Sequence, residues 1–147
     1  MSLEIGIMLR GQYPFGSDMV LMAEELIEQA RMADRLGYAS ITKGSHYSTP
    51  DYQALQQFPI LARLTGEVKR ARLNAGIIIL PLHKPLDIAE QMATLDILSN
   101  GRMIFGVGIG YRDVEFNAFG TTQKDRGKRT TENLIAIKRL WSEECVT

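Results

Sequence analysis

Cysteine is all but missing from this sequence. Cys145 stands alone near the end of the 147 residues, which excludes an internal disulfide and a cysteine-ligated metal cluster and leaves an incidental thiol. An excess of charge of either sign is missing too: 17 basic residues balance 17 acidic ones, so no field favours nucleic acid or an anionic membrane. Long apolar runs are absent. The longest, residues 75–82, falls far short of the ~20 residues that a membrane helix requires, and no signal peptide is visible. The two histidines, His46 and His83, lack spaced carboxylates, so no metal site is expected. No serine elbow or Cys-His arrangement appears, and the carboxylates fall mostly on helix faces, where solvation is the default. The expectation is a soluble, cytoplasmic protein, its 45% hydrophobic content serving one domain over residues 1–147.

Glycine, by contrast, is concentrated. Residues 101–120 read GRMIFGVGIGYRDVEFNAFG, with Gly106, Gly108 and Gly110 at every second position. Alternating glycines strip one face of a strand of side chains, so something can lie close against the backbone. A tightly packed barrel strand or a bulge accounts for the spacing equally well. A dinucleotide fingerprint does not: G-x-G-x-G replaces G-x-G-x-x-G, the helix-poor Tyr111-Arg112-Asp113 follows, and no ribose-binding acid stands at the required distance.

Apolar runs bounded by turn residues predict strands at residues 3–9, 38–42, 72–80 and 102–107. The third, RLNAGIIIL, is continuous enough to suggest burial on both faces, as in parallel sheets. Helical periodicity fills the intervals. Ser17 or Asp18 caps a helix that runs to Leu36, with Ala23, Leu26, Ala30, Ala33 and Leu36 on one face and Gly37 as its stop. Pro59 suits the first turn of a second helix, carrying Ile60, Leu61, Leu64 and Val68. Pro85 and Asp87 open a third, with Ile88, Met92, Leu95 and Leu98 inward and Asn100-Gly101 as its end. A fourth covers roughly residues 130–141, with Leu134, Ile137 and Trp141 on one side. Four βα units require parallel pairing with right-handed crossovers. Two folds satisfy that pattern, an open doubly wound sheet and half of an eight-fold barrel, whose full form needs ~250 residues. Length favours the open sheet.

Particular residues turn the choice. Residues 76–85 (GIIILPLHKP), Ala89-Glu90-Gln91, Ala93-Thr94-Leu95-Asp96, Leu98-Ser99, Gly101-Arg102 and the 106–110 glycine run, followed by Glu115, Phe119-Gly120, Arg126 and Leu140-Trp141, form a pattern. It resembles the bacterial-luciferase-like, flavin-dependent monooxygenases and oxidoreductases. The resemblance runs from the first strand to Trp141 and is most specific between Pro81 and Gly120. It implies an α/β fold, a parallel (βα) barrel of TIM type with only about the first four βα units present. The family's barrel is about twice as long, and late loops, beyond this stretch, supply most of the phosphate grip.

The resemblance also implies roles. Gly76-Ile77 falls where the family has a non-prolyl cis peptide pressed against the flavin ring. Gly106, Gly108 and Gly110 would leave room for the isoalloxazine or the ribityl chain. Ile109 stands where some members carry a base near the phosphate, whereas Arg126 matches a family arginine in that neighbourhood and could give one charge-assisted bond. His46 is the expected proton handler, although Ser45 precedes it where the family has an acid or a histidine. His83 is expected to set the turn into the third helix. The implied activity is oxygenation, or other oxidation and reduction, of a small organic substrate with reduced FMN and oxygen. A deazaflavin-dependent oxidoreductase on the same scaffold is the close variant. A half barrel leaves two sheet edges open, so a homodimer is expected, and a non-catalytic half barrel that dimerises is the alternative from another class.

Overall fold

The computed structural model describes residues 3–146; positions 1, 2 and 147 of the expected domain lie outside the described residues. In chain order the elements begin with β1 (Gly6–Leu9), β2 (Gln12–Tyr13), α1 (Met19–Arg35), β3 (Ser40–Lys43), β4 (Gln53–Ala54) and α2 (Gln57–Glu67). There follow β5 (Arg72–Ile79), α3 (Pro85–Ser99), β6 (Met103–Gly108), α4 (Asp113–Ala118) and α5 (Arg126–Ser142). The fold is α/β: β1, β3, β5 and β6 form one parallel sheet in that order, while β2 and β4 make a short antiparallel ribbon beside it.

Local signals set the helix ends. The Asp18 carboxylate accepts from the Val20 and Leu21 amides at the start of α1, satisfying donors that a helix leaves unpaired. Pro85 opens α3, and Asn100 closes it in the left-handed region at φ 57° with Gly101 following at φ 74°. The core lies between the sheet and one layer of helices. Leu9, Ile41, Leu73 and Ala75 project from the strands against Leu26, Ala30, Leu61, Leu64, Ile88, Met92 and Ile137.

The opposite face of the sheet is uncovered. Met8 is 60% exposed and Ile77 43% exposed. This corrects the expectation that β5 is buried on both faces: only the side chains facing the helices are sealed. The apolar run at its start differs as well, since Leu3 and Ile5 are exposed and the strand begins at Gly6. Leu36 and Leu98 likewise face solvent, each lying past the stripe its helix packs inward. Trp141 is half-exposed, but its indole N–H donates to Ala89 O and its ring meets Phe105 edge-on. Helix α5 begins four residues before the expected 130, its first turn masked by Gly127, a poor helix former.

Candidate active site at the carboxyl ends of the strands

Parallel sheets bind ligands at the carboxyl ends of their strands, and two adjoining clefts open there. The larger, about 460 Å³, has apolar walls from Met8, Ile77, Ile79 and Ile109, with His46, Gly76, Gly110, Tyr111 and Arg126 completing it. The smaller, about 190 Å³, lies between the end of β1, the β2–β4 ribbon and Lys43. Met8, Gly44, Ser45 and His46 belong to both. Five of the seven residues marked from the sequence, His46, Gly76, Ile77, Gly110 and Arg126, therefore meet in one place. Gly106 and Gly108 do not line either cleft.

Their surroundings explain the difference. The Gly76–Ile77 peptide is cis, and the β5–β6 register shifts between Ala75 and Ile78. The bulge pushes β5 atoms into the space that side chains of β6 would occupy. A Cβ on Gly106 would stand 2.7 Å from Ala75 O, and one on Gly108 2.1 Å from Ile77 Cδ1. The expected vacancy for a flavin ring at these two positions is thus filled by the neighbouring strand; the bulge reading of the glycine spacing is the one realised. Gly110 adopts φ 71°, and a Cβ there would lie 2.6 Å from Ile79 Cγ2 and 3.1 Å from the Phe116 ring, so both backbone and packing demand glycine.

His46 follows β3, and its Nδ1 lies 3.0 Å from Glu115 Oε1. The same oxygen accepts the Tyr47 amide at 3.0 Å, while Arg112 Nη1 stands 4.0 Å away. Glu115 is 0% exposed. A carboxylate only accepts, so Nδ1 is the nitrogen that donates in this contact. Two sequence expectations are corrected here. The histidine has its acid partner, supplied by α4 rather than by the preceding residue, and this helix carboxylate is buried rather than solvated. The signal lay in the stretch just after the glycines, whose six-residue helix is too short for periodicity to reveal. Among the described residues, Glu115 Oε2 and Ser45 Oγ are buried without a hydrogen bond of normal geometry.

Around this pair the chemistry is graded. Tyr47, His83 and Phe119 pack edge to face. His83 caps the short turn after β5, its amide donating to Leu80 O at 3.1 Å. Its carbonyl accepts from Asn133. Burial pushes the imidazole below its ordinary value, against the opposing pull of Asp87. Arg126 is tied to Gln123 through that residue's backbone and side-chain oxygens. Lys43 is 4% exposed, and burial lowers its ammonium to about 8. Nothing in the apolar pattern of β3 singles out this lysine, whose stem crosses Gly11.

A parallel sheet backed by helices on one face, with a buried acid–histidine pair at its carboxyl edge, is part of a βα barrel. The chain belongs to the luciferase-like monooxygenase family, whose model matches residues 4–147. Among its relatives, the oxygenase component of flavin-dependent trigonelline monooxygenase from Acinetobacter baylyi is 33% identical over 120 residues, covering 80% of this chain and 33% of that one. The F420-dependent glucose-6-phosphate dehydrogenase of Amycolatopsis mediterranei is 30% identical over 132 residues, 83% of this chain and 39% of that one. Among solved structures, the oxygenating constituent of 3,6-diketocamphane monooxygenase from Pseudomonas putida, in complex with FMN, superimposes with a TM-score of 0.89 at 20% identity. That match covers 98% of this chain and 40% of the other. The chain therefore spans well under half the length of the proteins it matches. Among the described residues no helix is long and apolar enough to cross a membrane, and no group of three or more His, Cys, Asp or Glu could hold a metal.

Proposed function

We propose that this chain is the N-terminal half of a luciferase-like barrel enzyme, a cytoplasmic homodimer that oxidises or oxygenates a small organic substrate with reduced FMN and oxygen. The observation that carries the reading is the convergence of His46, bonded to buried Glu115, with Gly76, Ile77, Gly110 and Arg126 on one apolar-walled cleft. The residues fit the group. Met8, Ile77 and Ile109 offer the apolar surface that a flat aromatic ring needs, Gly76 and Gly110 line the same cleft, and Arg126 adds a cation. Bound flavin supplies the electrons, to oxygen or as hydride.

The protein's own part is positional and protonic. Glu115 fixes the His46 tautomer through Nδ1–H, so Nε2 accepts a proton from a group in the cleft and returns it later. Gly106 and Gly108 act one step removed, as positioning residues that seat the Gly76–Ile77 bulge. A deazaflavin reading has its own support: Ile109 brings no charge to the cleft, and a deazaflavin-dependent enzyme is among the relatives. A fluorescence titration of the full chain with FMN tests the proposal. Saturable quenching in the micromolar range, weakened by Ile77→Asp, is expected; a folded chain that quenches nothing sinks it.

A further inference from the structure

The larger cleft leaves unexplained why a lysine is buried beside it. Lys43 Nζ donates to Gly44 O at 2.9 Å, and this is its one hydrogen bond among the described residues. An ammonium carries three donors. Among the described residues no carboxylate lines the 190 Å³ cleft that Lys43 faces; its other polar side chains are Arg10, Gln12, Ser45 and His46. Ser45 Oγ, buried on the same cleft, makes no hydrogen bond of normal geometry among the described residues, with only the nearby Tyr47 side chain interacting with it. A buried charge without a counter-charge is costly, and an unsatisfied buried hydroxyl adds to that cost. Two incomplete donors on one cavity, with a guanidinium beside them, call for an acceptor that brings negative charge.

We infer that the smaller cleft binds an anionic group, the carboxylate of an organic substrate, on the Lys43 ammonium and the Ser45 hydroxyl. Size and lining favour this source over a cofactor phosphate. A cavity of about 150 Å³ already admits benzene, so 190 Å³ takes a small ring or short chain. Met8, Leu9, Ala54 and Leu55 give the body of such a molecule an apolar bed. Because Ser45 and His46 line both clefts, a carboxylate held here leaves the rest of the substrate pointing towards the histidine. The depressed lysine agrees with its missing counter-charge: burial alone lowers it to about 8, and an anion would reverse that effect. Calling the ligand a substrate rests on the function proposed above; the anion site itself does not.

Calorimetric titration of the full chain with benzoate, its neutral isostere benzamide and inorganic phosphate tests the inference, with the Lys43 Cε resonance followed by NMR. Benzoate is expected to bind saturably and shift that resonance, with benzamide and phosphate each at least tenfold weaker. Lys43→Met is expected to weaken benzoate at least tenfold while the circular dichroism stays native. Gly11→Ala, whose methyl would meet Lys43 Cε at 2.8 Å and Nζ at 2.9 Å, displaces the ammonium and weakens benzoate independently. Equal binding of benzamide, tighter binding of phosphate, or unchanged benzoate affinity in both variants overturns the assignment. FMN titration of the same protein separates the two proposals. Benzoate binding without FMN binding upholds the anion site and sinks the flavin reading, whereas FMN binding without benzoate binding does the reverse.

Discussion

His46 and Glu115 lie 69 residues apart in sequence, yet Nδ1 of one stands 3.0 Å from Oε1 of the other. The contact joins the loop after β3 to α4, and the Tyr47 amide completes it on the same oxygen. Because Glu115 is fully buried, removing its carboxylate would strand both donors. Glu115→Ala is expected to cost about 2–4 kcal/mol, combining lost hydrogen bonds with a new cavity. Glu115→Gln keeps an acceptor of the same shape and should cost about 1 kcal/mol. Urea unfolding followed by circular dichroism measures both; an alanine variant as stable as the parent would mean that the pair contributes nothing to the fold.

The glycine run makes a finer prediction. At Gly106 a methyl would collide with a backbone oxygen, Ala75 O at 2.7 Å, and with Asn74 Oδ1 at 3.0 Å. At Gly108 the nearest obstacle is the tip of Ile77, a half-exposed side chain that can rotate away. Gly106→Ala should therefore destabilise by roughly 1–3 kcal/mol and Gly108→Ala by clearly less, although its drawn contact is the shorter. Ile77→Ala in the Gly108→Ala background should recover most of the loss. The reverse ranking of the two glycines in thermal melts would refute the packing account.

How far the sequence discloses this arrangement depends on the range of the interaction. Pro85, Asn100-Gly101 and Asp18 act within one helical turn, so the ends of α3 and the start of α1 are legible residue by residue. The alternation of βα units fixes parallel pairing, and the stretch from Pro81 to Gly120 carries the most specific part of the family pattern. Coverage of the sheet is not legible in the same way: an apolar run such as Ile77-Ile78-Ile79 looks alike whether one or both faces are sealed. The β2–β4 ribbon has two residues per strand, too few for a period of two to register. Glu115 and Lys43 escape for a related reason, since a charged residue is read as solvated until a partner distant in sequence closes over it.

Asp34 ties α1 to the start of β5. Its carboxylate accepts three backbone amides, from Lys69, Arg70 and Ala71, at 3.0, 3.0 and 2.7 Å. Burial pushes this acid up, but the three amides, with Arg70 nearby, outweigh it and hold it below its ordinary value of 3.8. A depressed carboxylate stabilises the fold above its unfolded value, and that contribution disappears as pH falls through the folded one. Asp34→Ala should cost about 2–4 kcal/mol at pH 7. The gap between parent and Asp34→Asn should shrink as pH drops below 3.8. Denaturant titrations at pH 7 and pH 3 check the sign; a gap that widens in acid would contradict it.

Lys43 gives the opposite case, a charge whose burial works against the fold. Its ordinary value is 10.5 and its folded value about 8, so between those limits the unfolded chain binds more protons than the folded one. Stability should rise with pH across that window, and the whole penalty, roughly 3 kcal/mol, is present below it. Lys43→Met has a similar volume and no charge; it forgoes the bond to Gly44 O, worth about 1 kcal/mol. The variant should therefore be more stable than the parent by about 2 kcal/mol at pH 7. The advantage should fade between pH 8 and 10.5 as the parent lysine loses its proton. Saturating benzoate at pH 7 should close part of the same gap, because a bound carboxylate supplies the missing counter-charge to the parent alone. Urea midpoints of both proteins at pH 7, 9 and 10.5, with and without benzoate, decide the matter. A pH-independent difference would mean that the lysine is not held charged in an apolar setting, and the fold would then have no need of an anion there.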